Sequence, residues 1–109
     1  MSLDDDIYQG IGEILAAIAP PDADVVLVEA ELSSEDDHCK FLFDYISPSG
    51  AKQWFLPNSA EVDSDLLDLF VRLRSFFELN GLYAAGKPWK CCVVELSLRS
   101  MKIKIEFKY

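Results

Sequence analysis

Residues 101–109 read MKIKIEFKY. Met101, Ile103, Ile105, Phe107 and Tyr109 fall on one side of an extended chain, and Lys102, Lys104, Glu106 and Lys108 on the other. Successive side chains of a strand point to opposite faces, so this period of two predicts an antiparallel strand with one face on a core and the other in water. A fold that contains it must cover one face of a sheet and leave the other wet. The remaining sequence supplies both the sheet and the cover.

Two segments have helical spacing. Within residues 4–19, Ile7, Ile11, Ile14, Leu15 and Ile18 recur on one helix face. Asp4, Asp5 and Asp6 suit the positive N-terminus of that helix, and Pro20 and Pro21 stop it. Within residues 60–79, Val62, Leu66, Leu69, Phe70, Leu73, Phe76 and Phe77 share a side. Asn58 and Glu61 have the spacing of a capping box, and Asn80–Gly81 is a C-terminal stop.

The other segments alternate. In DVVLVEAEL (residues 24–32), Val26, Val28, Ala30 and Leu32 point one way, while Val25, Leu27, Glu29 and Glu31 point the other. In CKFLFDYI (residues 39–46), Phe41, Phe43 and Tyr45 go together. Both are strands by period and by branched or aromatic content. SPSG (residues 47–50) is a turn, and a third strand is expected at about residues 51–56. Trp89 follows Pro88, opens a further strand through KCCVVELSL and is expected to pack on the second helix. A tight turn near Arg99–Ser100 joins that strand to the last one.

The expected order is α-β-β-β-α-β-β. It predicts a two-layer α+β fold in which an antiparallel five-stranded sheet carries two helices on one face. Ile7, Ile11, Ile14 and Ile18 are expected to share a core with Leu66, Phe70, Leu73, Phe77, Ile103, Ile105 and Phe107. The 109 residues, half of them hydrophobic, suit one domain, residues 1–109, with one core. No apolar run is long enough to span a bilayer, so no membrane role is expected. The opening MSLDDDIY has neither a basic n-region nor an apolar stretch, so the expected location is the cytoplasm. Three cysteines, Cys39, Cys91 and Cys92, are an odd count and argue for reduced thiols.

Charge is unevenly spread along the chain. The net charge is −9, and residues 1–37 contain 11 acidic groups and no Lys or Arg. The remaining residues hold 8 acidic and 10 basic groups. Such a chain is disfavoured as a nucleic-acid binder, which needs cations for phosphates. An acidic field of this kind steers a basic protein partner.

The stretch SSEDDHC (residues 33–39) holds the sole histidine, His38, beside Cys39. Neighbouring residues of a strand diverge, so Asp37, His38 and Cys39 do not converge on one ion, and too few further ligands exist for a transition-metal site. A Cys–His nucleophile needs the two groups in contact, which consecutive positions do not provide. No phosphate-cradling loop and no GxSxG or HExxH motif is present. No catalytic residue, metal or cofactor is therefore expected. The stretch is expected to be a hairpin tip that concentrates negative charge. Its carboxylates Glu35, Asp36 and Asp37, with Glu29 and Glu31 behind them, are the candidate partner-binding residues.

The helix IYQGIGEILAAIAP, the strands VVLVEAEL and FLFDY, and the ending PWKCCVVELSLRSMKIKIEFKY resemble the YezG-type bacterial immunity proteins. Pro88–Trp89, Leu96, Lys102, Ile103, Ile105, Phe107 and Tyr109 carry the match at the C-terminal end. The resemblance implies a small cytoplasmic antitoxin. It would bind and block a cognate toxin domain that bacteria secrete or deliver in contact-dependent growth inhibition, often a basic nuclease. It implies no catalytic residues. SSEDDHC and the double cysteine are departures from the family pattern. The alternative is a small acidic secretion chaperone that wraps an effector segment. Such chaperones have a third helix after the last strand, and this sequence ends in the strand at Tyr109, which favours the immunity reading.

Overall fold

The computed structural model describes residues 3–33, 35, 38–57, 60–82 and 88–109. Its elements are α1 (Leu3–Ile18), β1 (Val25–Leu32), β2 (Cys39–Ile46), β3 (Lys52–Trp54), α2 (Ala60–Leu79), β4 (Cys91–Ser97) and β5 (Lys102–Lys108). The five strands form one antiparallel sheet in the order β3-β2-β1-β4-β5, with both helices over one face. This is the expected two-layer α+β arrangement.

Central strand β1 explains why the layers meet as they do. Its inward residues Val26, Val28, Ala30 and Leu32 are buried. The register sets Tyr45, Phe43 and Phe41 of β2 beside them on one flank, and Leu96, Val94 and Cys92 of β4 on the other. Ile103, Ile105 and Phe107 extend the same rows onto β5 and remain half-buried because β5 is an edge. Met101 and Tyr109 fall outside the strand they were expected to share. Met101 belongs to the turn after β4, where its φ of 54° lies in the left-handed region and closes the connection to Lys102.

The helices supply the cover. Ile7, Ile11 and Leu15 of α1 are buried, whereas Ile14 and Ile18 pack at the margin of the core. A Cβ on Gly12 would come within 2.9 Å of the Ile103 Cδ1 atom, so glycine lets α1 lie directly on the sheet at β5. From α2, Leu66, Phe70, Leu73 and Phe77 are buried. Phe70 meets Phe41 at 6.2 Å between ring centroids, and Phe77 meets Phe107 at 4.7 Å. Phe41 and Phe107 stand on β2 and β5, three strand spacings or about 14 Å apart. Seven residues of helix rise about 10 Å. Helix α2 therefore crosses the strands and ties the two halves of the sheet together. Trp89 is fully buried against Phe77 and Phe107, as its position after Pro88 suggested.

Local signals end the elements. At the end of α2 the Leu82 N–H donates to the Phe77 carbonyl at 2.9 Å, and Gly81 takes a φ of 62°. That is the Schellman closure which Asn80–Gly81 announced. Strand β3 is shorter than expected, three residues instead of about six. Just after Trp54 the Phe55 N–H still donates to the Phe43 carbonyl at 3.0 Å, and the Phe55 ring packs on Phe43 and Tyr45. Asn58, one half of the expected capping box, lies outside the described residues. Among the described residues no helix is long and apolar enough to cross a membrane.

Candidate partner-binding surface

The hairpin between β1 and β2 closes at Ser33 and His38. The Ser33 N–H donates to the His38 carbonyl at 3.0 Å, and the His38 N–H donates back to the Ser33 hydroxyl at 3.3 Å. These paired bonds pin both ends of the tip. Glu35 is exposed on it, while Asp36 and Asp37 lie outside the described residues.

The hairpin base is held from below by a residue with no counterpart among the sequence candidates. Arg74 of α2 is buried, at 7% exposure. Its Nη1 donates to the Leu32 carbonyl at 3.4 Å, and its Nη2 donates to the Ser33 carbonyl. The guanidinium carbon lies 5.9 Å from the centroid of the Trp89 ring. A planar fork suits this task, since it can serve two carbonyls while stacking near an aromatic face. The signal was present in the spacing: Arg74 sits four residues after Phe70 and three before Phe77, on the apolar stripe where a cation needs buried acceptors.

The register decides where the candidate acids sit. Glu29 and Glu31 point to the open face of the sheet, one row apart. Glu31 stands opposite Lys40 on β2. Glu29 lies 3.9 Å from the Lys108 ammonium on β5 and accepts a hydrogen bond from the Cys91 thiol at 3.5 Å. The same face carries Asp44, Glu95 and Glu106 as well as Lys52, Lys102 and Lys104. Among the described residues five carboxylates therefore meet five lysines there, and their charges balance.

The helix layer is different. Asp5, Asp6 and Glu13 on α1 are exposed, as are Glu61, Asp63, Asp65, Asp68 and Glu78 on α2. The cations on these helices are Arg74, which is buried, and Arg72, whose Nε pairs with Asp68 at 3.1 Å. The net negative charge thus gathers on the helix layer and the hairpin tip. The acidic block of residues 1–37 is not one patch in space. The fold divides it among α1, the connection before β1, where Asp24 pairs with Arg99, the tip and the lysine-bearing open face.

The surroundings of the thiols favour their protonated forms. Burial pushes Cys92 up to about 12, with Cys91 and Cys39 adding to the effect. Burial likewise pushes Cys39 up to about 12, against the opposing influence of Arg74. Cys91 is raised by burial, by its bond to Glu29 and by that carboxylate's charge. Protonated thiols are poor nucleophiles. His38 is exposed while Cys39 turns to the covered face, so the pair does not form a nucleophile with its base. Among the described residues no group of three His, Cys, Asp or Glu side chains is placed to hold a metal ion.

No protein-family model matches the chain, and no curated protein matches it.

Proposed function

We propose that this chain is an immunity protein of the YezG type, which binds a cognate bacterial toxin domain and neutralises it. The observation that supports this reading is the segregation of charge. A domain with a neutral sheet face and an acidic opposite surface is built to meet a cationic partner in one orientation. A nuclease domain is the toxin class that fits, because it needs a basic surface for its phosphate-rich substrate. In this reading Glu35, Asp36 and Asp37 at the tip contact the toxin. Glu29 and Glu31 are the weaker contributors of the proposed set, since lysines stand beside them. Arg74 positions the tip without touching the partner.

Co-expression with the toxin domain encoded beside this chain tests the reading. Survival of the cells and a stable complex with the folded domain are expected. Death of the cells, or capture of an unfolded effector segment instead, would sink it, and the second outcome would support a chaperone. The triple change Glu35→Lys, Asp36→Lys and Asp37→Lys is expected to leave the melting curve nearly unchanged. It should weaken toxin binding about tenfold or more and flatten its salt dependence. Wild-type affinity with an unaltered salt slope would remove the tip from the interface.

A further inference from the structure

The seam between the two helices is open to solvent. Residues near the start of α1 border the second half of α2, and residues near its end border the first half, so the helices run antiparallel. The seam holds two depressions of about 370 and 410 Å³ that share Leu69. The first is lined by Ile7, Leu69, Phe76 and Leu79, with Asp6 and Arg72 at its rim. The second is lined by Gly10, Ile14, Ala17 and Leu69, with Glu13, Asp65 and Asp68 at its rim. A Cβ on Gly10 would lie 3.2 Å from the Leu69 Cδ2 atom, so the two helices touch there. Leu79 is 85% exposed, a cost in water unless something covers it.

We propose that this groove is a docking site for a basic amphipathic helix, with apolar side chains entering the two depressions and Lys or Arg side chains meeting the rim. The rim decides the occupant. Among the described residues four carboxylates line it against one cation, Arg72, which is already paired with Asp68. From Asp65 to Leu79 the groove follows α2 for about 21 Å, the rise of roughly fourteen helical residues. A helix of that length presents anchors at i, i+3, i+4 and i+7, which is how helix-in-groove recognition is read. A second copy of this chain is a poor occupant. Two-fold pairing through the same groove would set Asp6, Glu13, Asp65 and Asp68 against their own kind. The inference rests on the preceding reading only in expecting a cationic partner, and its assay needs no toxin, so the two fail separately.

The test uses a fluorescent peptide of about 15 residues with Leu at helical spacing and Lys elsewhere, followed by anisotropy. A scrambled peptide of the same composition is the control for shape. The rim variant is Glu13→Lys with Asp65→Lys, and its control for charge is Glu95→Lys with Glu106→Lys on the open sheet face. Leu79→Asn probes the apolar lining. Glu13, Asp65, Leu79 and Glu106 are exposed and Glu95 is half-buried on the open face, and the melting curves show whether each variant is folded. The amphipathic peptide is expected to bind, and the rim variant to weaken it about tenfold or more. Leu79→Asn should weaken it by a smaller factor, and the sheet-face variant should bind as wild type does. Equal loss from the rim and sheet-face variants, equal binding of the scrambled peptide, or no binding would overturn the proposal. So would a wild-type dimer that the rim variant dissociates, which would hand the groove to a second copy.

Discussion

On the open face of the sheet, acids have lysines for neighbours; across the molecule, on the helix layer, eight exposed acids among the described residues face one surface arginine. Both surfaces are rich in charge, and only one has a net field. The cause lies in how each is assembled. A strand face is shared by chain segments distant in sequence, so β1's acids are interleaved with lysines from β2 and β5. A helix face draws on one contiguous segment, so its acids stay together. Net charge is therefore a property of elements here, and interaction is expected where the elements keep their charge to themselves.

The sharpest way to break this contrast is to apply one kind of substitution to both sides. Phe70 is fully buried beneath α2, and Trp54 on β3 is 72% exposed on the open face. Phe70→Ala is expected to cost about 3–5 kcal/mol, from lost transfer energy and the cavity left behind. Trp54→Ala should shift stability by only about 0.5 kcal/mol. Urea melts of the two variants compare them directly. Equal losses would mean that the open face is covered by something, and the assignment of wet and dry sides would be reversed or incomplete.

Arg74 joins the two regions, since it leaves the acidic helix layer and ends at the base of the hairpin. In Arg74→Leu the carbonyls of Leu32 and Ser33 lose the donors that now reach them. An unsatisfied buried polar group costs about 1–3 kcal/mol, and a loss of that size is expected. Faster amide exchange at Ser33 and His38 should accompany it, because the closing bonds of the tip are no longer braced from α2. Arg74→Lys keeps the charge but not the fork, so it should recover only part of the loss. A melt and an exchange pattern identical to wild type would show that the hairpin stands without this brace.

Much of this arrangement was legible from periodicity. The alternation of residues 101–109 gave the wet and dry faces, and the apolar spacing of the two helices gave the cover, because burial acts on one element at a time. The distribution of charge was legible only in part: the Lys102, Lys104 and Lys108 stripe could pair across the sheet with Glu29 and Glu31, but no local pattern decided it. Counting acids along residues 1–37 made Glu29 and Glu31 part of one acidic block. The register then placed Lys40 opposite one of them and Lys108 beside the other, and Lys108 arrives from the far end of the chain. Strand order, which no local pattern encodes, decides that. The role of Arg74 was hidden for a related reason. Its acceptors are backbone carbonyls 41 and 42 residues away, and only the packing of α2 on the end of β1 brings them within reach.

The smallest expected effects compare the two faces over a single peptide bond. Cys91 points to the open face beside Glu29, and Cys92 points into the core. At about pH 8, where only the thiolate reacts, iodoacetamide should modify Cys91 slowly and Cys92 far more slowly still, while all three thiols react fully in denaturant. Mass spectrometry of the time course locates the label. The same burial has a consequence at high pH. Burial pushes the Cys92 thiol up to about 12 in the folded chain, from the ordinary 9.0 of a free thiol. Between those values the unfolded chain has released a proton that the folded chain retains, so rising pH favours unfolding. The contribution is fully present below about 9 and is lost as pH climbs through about 12. Replacing Cys92 by Ala should therefore lessen the alkaline fall in the urea midpoint relative to wild type, while Cys91→Ala should change it less. If the two thiols were alkylated at the same rate, the strand would not separate a wet face from a dry one at this position. The contrast between the faces would then fail where it is most local.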